Sequence, residues 1–154
     1  AIRRQRQMCI RDSVKKQKKG GRSMKNPVEY LRECKVFYLA TCERNQPRVR
    51  PFGAVALYQN HVYFMTGNTK KVYRQLKENP LAEVCAMHPD GTWIRINGNV
   101  MWDDSREAKV AMLEQNPDLR SMYSEDDGKM EVFYLGGGSV TIDSFTAPQE
   151  SMAL

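Results

Sequence analysis

From residue 26 onward the apolar and polar positions change period several times, and those changes divide the chain into elements. "NPVEYLREC", 26–34, places Val28, Leu31 and Cys34 on one helical face. Asn26 suits the N-cap, and Pro27 suits the first helical position. Strand patterns follow: "VFYLATC" (36–42), "PRVRPFGAVALY" (47–58) and "HVYFMT" (61–66) are separated by "ERNQ" and "QN". Pro51 and Gly53 within the second run mark a bend or bulge. "KKVYRQLKEN", 70–79, has helical spacing, with Val72, Leu76 and Tyr73 as inward positions, and stops before Pro80. "LAEVCAMH" (81–88) and "TWIRINGNVMW" (92–102) read as strands across the turn "PDG", with Gly98 as a bend. "DDSREAKVAMLEQN" (103–116) is a helix with acids in its first turn, where the dipole favours them. Pro117 starts a further short turn of helix. "KMEVFYL" (129–135) and "SVTIDSF" (139–145) read as two strands joined by a flexible turn at Gly136-Gly137-Gly138, and 146–154 as a frayed terminus. About seven strands with inserted helices predict a mostly β antiparallel barrel or sandwich rather than a doubly wound sheet.

Composition changes this picture at the N-terminus. The 154 residues carry a formal charge of +6, but residues 1–23 hold nine Lys or Arg against Asp12 alone, and 24–154 are slightly acidic. The basic character belongs to the tail. "RRQRQMCIRDS", 3–13, resembles translated sequencing-adapter DNA, and Lys19-Gly20-Gly21 can be encoded by a ribosome-binding sequence just ahead of Met24. The expectation is that 1–23 is a non-native or disordered tail and that translation starts at Met24. Nucleic acid then becomes an unlikely partner. No apolar run reaches the ~18 residues that span a bilayer, so no membrane partner is expected. Cys34, Cys42 and Cys85 have neither C-x-x-C nor zinc spacing, which suits free thiols in a cytoplasm.

Candidate chemistry is sparse. There is no G-x-S-x-G or H-E-x-x-H motif, and His61 and His88 fall at strand–turn junctions as surface residues. Arg48 and Arg50 share one strand face. Two guanidiniums so close suit an anion between them, or a solvated face. Lys70 and Lys71 sit at a helix start, the end that disfavours cations. Gly67 allows close backbone approach, and the amides of Asn68, Thr69 and Lys70 would point off the helix start as an anion site. The alternative is that Thr69 caps the helix and both lysines stay in solvent. Together the two clusters suggest one phosphate. With no strong acid, base or nucleophile beside it, a phosphorylated redox cofactor fits best.

The pieces "VFYLAT", "QPRVRPFG", "VYFMTGNTKKVYRQLKENP", "WIRINGNV" and "EVFYL", in this order over residues 27–145, resemble the pyridoxamine 5′-phosphate oxidase-like family. The resemblance implies a six-stranded antiparallel Greek-key split barrel, with 24–145 as a flavin mononucleotide (FMN) domain. It also implies a homodimer with the flavin at the subunit interface. By position, Arg50, with or without Arg48, would hold the phosphate from the second strand. Thr66 would lie beside the flavin, and Asn68, Thr69, Lys70 and Lys71 would cradle the phosphate, the division between the two lysines being open. Trp93 would approach the ring, from its own or the partner subunit, or else be a barrel-surface aromatic. True pyridoxamine phosphate oxidases carry a further C-terminal segment with a tryptophan and an "RLAP"-like run. This chain ends at "TAPQESMAL" with neither, which argues against vitamin B6 oxidation. The resulting expectation is an FMN-dependent oxidoreductase of unknown substrate, with a non-enzymatic flavin or haem carrier or sensor as the alternative, His88 or His61 being the haem ligand.

Overall fold

Hydrogen-bonding the alternating segments edge to edge yields one antiparallel sheet. The computed structural model describes residues 24–154; the tail over 1–23 lies outside the described residues. Helix α1 (Pro27–Cys34) begins where Asn26 Oδ1 accepts the Val28 amide at 2.9 Å, with Pro27 in its first turn. Strands β1 (Phe37–Glu43) and β2 (Gln46–Phe52) pair across a short turn. β3 (Val55–Tyr58) and β4 (His61–Gly67) pair across Gln59-Asn60, both of which have positive φ. That is the backbone twist a two-residue hairpin needs. Helix α2 (Lys71–Glu78), β5 (Leu81–Met87), β6 (Trp93–Asp103) and helix α3 (Arg106–Gln115) follow. A 3₁₀ turn (Pro117–Ser121), β7 (Met130–Asp143) and β8 (Glu150–Ala153) complete the chain.

The strand order is β2-β1-β5-β6-β7-β4-β3, with β8 added to β7. This is the split-barrel architecture, with an open rather than closed sheet and eight strands where six were expected. The long run 47–58 is broken at Gly53-Ala54, so β2 and β3 stand at opposite ends of the order. The bend implied by Pro51 and Gly53 is therefore a strand break.

The two faces of β4 feed two cores. Val62 and Phe64 pack with Phe37, Leu39, Ile96 and Phe133 in the larger one, which also takes residues of α1 and α2. Tyr63 and Met65 pack with Met112, Leu113, Met130 and Val132 beneath α3. α3 starts three residues later than the pattern implied. Asp103 belongs to β6, where its carboxylate accepts the Tyr63 hydroxyl at 2.7 Å and the Ser105 amide at 2.9 Å. Burial raises the Tyr63 phenol well above its ordinary range, and its hydrogen bond to Asp103 pushes the same way.

Two expectations need correction. Gly136-Gly137-Gly138 is not a turn between strands. β7 runs continuously from Met130 to Asp143, and its register against β6 slips by one residue between the Asn97–Ser139 and Asn99–Gly136 pairs. Gly137 has φ 67°, and a Cβ on Gly138 would stand 1.9 Å from the Asn97 carbonyl oxygen. The glycines serve a bulge at close backbone approach, not a chain reversal. The extra residue also inverts side-chain parity. Phe133 and Leu135 face the larger core before the bulge, and Val140 faces it after. The second correction is at the C-terminus. Residues 150–153 are not frayed but pair with Ser139–Ile142, and the Leu154 amide donates to Gly138 O at 3.0 Å. β8 covers an edge of β7 that would otherwise present unpaired backbone groups.

Among the described residues no helix is long and apolar enough to cross a membrane, and no group of three His, Cys, Asp or Glu could hold a metal.

Candidate functional site

The strand face shared by Arg48 and Arg50 meets α2. Arg50 lies opposite Leu39, and Arg48 opposite Thr41, across the β1–β2 ladder. The Arg50 guanidinium donates to Thr41 Oγ1 at 2.8 Å, to Gln75 Oε1 at 2.6 Å and to Leu39 O at 3.2 Å. Thr41 Oγ1 in turn donates to Gln75 Oε1 at 2.9 Å, and both residues are buried. Burial, and secondarily the like charge of Arg48, pulls the Arg50 guanidinium below its ordinary value. Arg50 thus ties α2 to β1 and keeps two of its five N–H groups uncommitted. Arg48 is more exposed. Its side chain pairs with Glu43 at 2.8 Å, and this hydrogen bond is the main cause of the lowered Glu43 pKa. The two arginines share a face, as their spacing implied, but each already has a partner.

The start of α2 differs from expectation in its donors. Lys70 is the N-cap and Lys71 the first helical residue, so both cations do sit at the positive end of the helix. No side chain caps the helix, which removes the reading of Thr69 as its cap. Two of the three expected amide donors are spent: Asn68 N–H donates to Lys129 O at 2.9 Å, and Lys70 N–H to Gly67 O at 3.0 Å. The Asn68 side chain donates to Gly128 O at 2.8 Å, so Asn68 fastens this corner to the approach of β7. No backbone partner for the Lys71 and Val72 amides occurs among the described residues. These are the donors that the helix start leaves for a ligand.

The helix phase sends the two lysines apart. Lys70 lines a cleft of about 480 Å³ together with Phe52, Gly53, Ala54, Leu119 and Tyr123. Lys71 lines a smaller recess of about 180 Å³ with Glu43, Arg74, Gln75 and Glu78, next to the arginine pair. The division that the sequence left open is thus a difference of side.

Thr66 is 1% exposed, and its hydroxyl, which is buried, has no hydrogen-bond partner. An orphaned buried hydroxyl costs about 1–3 kcal/mol. It lies one residue before Gly67 and five before the first turn of α2. Trp93 stands apart from this group. It opens β6, pairs with Met87 and Asp143, and packs on Phe145 with ring centroids 5.0 Å apart. Five residues of strand, about 16 Å, separate it from Gly98, which lines the same recess as Thr41.

The histidines are engaged. His61 stacks on Tyr134 at 4.2 Å between centroids. His88 Nε2 lies 2.6 Å from Glu33 Oε2, its Nδ1 accepts the Asp90 amide at 3.2 Å, and its ring packs on Tyr30. Either would have to leave these partners to ligate a haem iron. Sequence reasoning missed Gln75, which was not among the inward positions named for its helix, and Tyr123, which lies outside every periodic segment. The polar residue in the buried stripe of α2, one helical turn after Lys71, was the available signal for Gln75.

This fold has clear relatives. The family model described as pyridoxamine 5′-phosphate oxidase matches residues 24–134. The chain belongs to the pyridoxamine 5′-phosphate oxidase family. Within that class it is similar to a NimC/NimA family protein from Clostridium acetobutylicum. The two share 49% identity and a TM-score of 0.78, over 82% of this chain and 88% of that one. A pyridoxamine 5′-phosphate oxidase-related, FMN-binding protein from Nostoc punctiforme shares the fold at 18% identity and TM-score 0.61, over 80% and 82% of the two chains. A haem-binding protein from Mycobacterium smegmatis does so at 16% and 0.65, over 84% of this chain and 58% of that one. No curated protein matches the chain.

Proposed function

We propose that the protein is a homodimeric flavoprotein that binds FMN and works as an oxidoreductase on a small molecule in the cytoplasm. The observation that carries this reading is the orphaned Thr66 hydroxyl beside an uncapped helix start that bears Lys70 and Lys71. A doubly negative phosphate over that start turns two unfavourable cations into partners, and it accepts from the Lys71 and Val72 amides. Thr69 and one of Lys70 and Lys71, which line different recesses, would hold the phosphate. Arg50, fixed by Thr41 and Gln75, would contribute positive charge from β2, and Arg48 would join only on leaving Glu43. Thr66 would satisfy its hydroxyl against the cofactor. Bound flavin supplies hydride or electron transfer, which matches the scarcity of acid–base groups around the cleft.

Support for a dimer comes from the outer face of β2, β1 and β5. Val49, Tyr38 and Met87 are 64%, 50% and 60% exposed there, and a sheet face this apolar suits burial against a second copy. Trp93 would reach a flavin only across such an interface. The described cysteines are free thiols, in keeping with a reducing compartment. The FMN-binding relative supports the cofactor. The haem-binding relative supports a haem reading less well, because both histidines are already engaged.

The test is titration of the purified protein with FMN and with riboflavin, followed by flavin fluorescence. Lys70→Ala/Lys71→Ala should weaken FMN by about 10-fold or more, the worth of a lost charge-assisted hydrogen bond, and leave riboflavin unchanged. Failure to take up FMN, or equal weakening of both ligands, would refute the reading. Reduction of bound flavin by a nicotinamide donor, with turnover of an acceptor, would separate enzyme from carrier.

A further inference from the structure

The residue facing Lys70 across its cleft is Tyr123, which no sequence motif singled out. It follows the 3₁₀ turn, and its amide donates to Leu119 O at 2.9 Å. Its ring packs against the core beneath α3. The next residue is also pinned, since the Ser124 amide donates to Asp127 Oδ2 at 3.0 Å, and Asp127 Oδ1 accepts the amides of Lys129 and Met130 at 2.7 and 2.9 Å. The phenol is therefore held in place from both its backbone and its ring.

What it is held against is Gly67. A Cβ on Gly67 would stand 3.1 Å from Tyr123 Oη and 3.8 Å from Lys70 Cε. The missing side chain lets the phenol oxygen and the lysine stem converge over one Cα at the end of β4. The Tyr123 hydroxyl has no hydrogen-bond partner among the described residues, and both side chains line the cleft of about 480 Å³. A fixed O–H donor beside an ammonium group is a combination that recognises an anionic oxygen.

We propose that Tyr123 is a further binding residue, donating its hydroxyl to the ligand's phosphate beside Lys70. This rests on the flavin reading above, and it assigns the 3₁₀ segment to the binding site.

The test is Tyr123→Phe, which keeps the ring and its packing and removes only the hydroxyl. FMN affinity should fall about 10-fold, while riboflavin affinity and the urea midpoint stay at the wild-type values. A purely structural role would weaken both flavins together or lower the midpoint. Either of those results, or unchanged FMN affinity, overturns the proposal. If the wild-type protein takes up no FMN, the flavin reading fails on its own, and inorganic phosphate becomes the probe. Phosphate should then raise the wild-type melting midpoint over chloride at equal ionic strength, and do so less for Tyr123→Phe. No phosphate effect, or the same effect in both proteins, would overturn the assignment of Tyr123.

Discussion

Replacing Arg50 by alanine tests whether this arginine belongs to the fold before it belongs to any ligand. Its guanidinium makes two short hydrogen bonds, to Gln75 Oε1 at 2.6 Å and Thr41 Oγ1 at 2.8 Å, and one long bond to Leu39 O at 3.2 Å. Hydrogen bonds to charged groups contribute about 1.5–3 kcal/mol each when buried. Arg50 is only half-buried, so each short bond is discounted to about 1 kcal/mol. Thr41 and Gln75 keep their mutual bond at 2.9 Å, which limits the penalty for stranded acceptors. Arg50→Ala should therefore destabilise the protein by about 2–3 kcal/mol. At a typical slope that lowers the urea midpoint by about 1 M or more. Arg50→Lys, which keeps the charge but loses the fork, should cost about half as much. The assay is urea unfolding without flavin or phosphate. A double-mutant cycle with Gln75→Ala should return a coupling of about 1–2 kcal/mol. A loss below about 0.5 kcal/mol, or no coupling, would show that the guanidinium does not tie α2 to β1 and is free to serve a ligand.

Two further outcomes are expected. Thr66→Val, nearly the same shape without the orphaned hydroxyl, should leave the flavin-free protein as stable as wild type or more stable by about 1 kcal/mol. It should also weaken FMN in the same fluorescence titration; a clear loss of stability would mean the hydroxyl is satisfied within the fold. Asp90 is held down from 3.8 to about 2, chiefly by the Thr92 hydroxyl, then by the Thr92 amide. A carboxylate whose folded pKa is depressed stabilises above its unfolded pKa, and that stability is lost as pH falls through the folded value. The urea midpoint of the wild type should accordingly drop between about pH 4 and pH 2, and Asp90→Asn should flatten that part of the profile.

Much of the fold was legible because periodicity reports burial directly. The apolar run in "HVYFMT" and helical spacing in "KKVYRQLKEN" each located an element to within a residue or two. Asn26 and Pro27 fixed the start of α1 through their own local chemistry. The errors arose where distant chain segments decide. Three consecutive glycines have the composition of a turn, and only the carbonyl of Asn97, some forty residues earlier, makes them a bulge. β8 carries little apolar signal of its own and exists because β7 offers it an edge. At the site, residue types were readable and their commitments were not. Arg48, Arg50 and Asn68 suit an anion by chemistry, yet Glu43, Gln75 and the carbonyls of Gly128 and Lys129 already engage them. Which lysine faces which recess depends on helix phase, which shifts with a one-residue change in the starting point.

The inversion of parity at the β7 bulge bears on how this chain can change length. Surface loops in such a fold tolerate insertions and deletions, because a lost residue is absorbed without moving its neighbours. The glycine triplet lies within a strand rather than a loop, yet it too can lose a residue. Deleting one glycine would remove the bulge and leave plain alternation from Leu135, which keeps Val140 and Ile142 inward and Ser139 and Thr141 outward along the second half of β7. β8, which takes its register from that half, would keep its alignment with it. The triplet holds one residue more than alternation needs, so its length is less constrained than its composition: a side chain at Gly138 has no room against the Asn97 carbonyl.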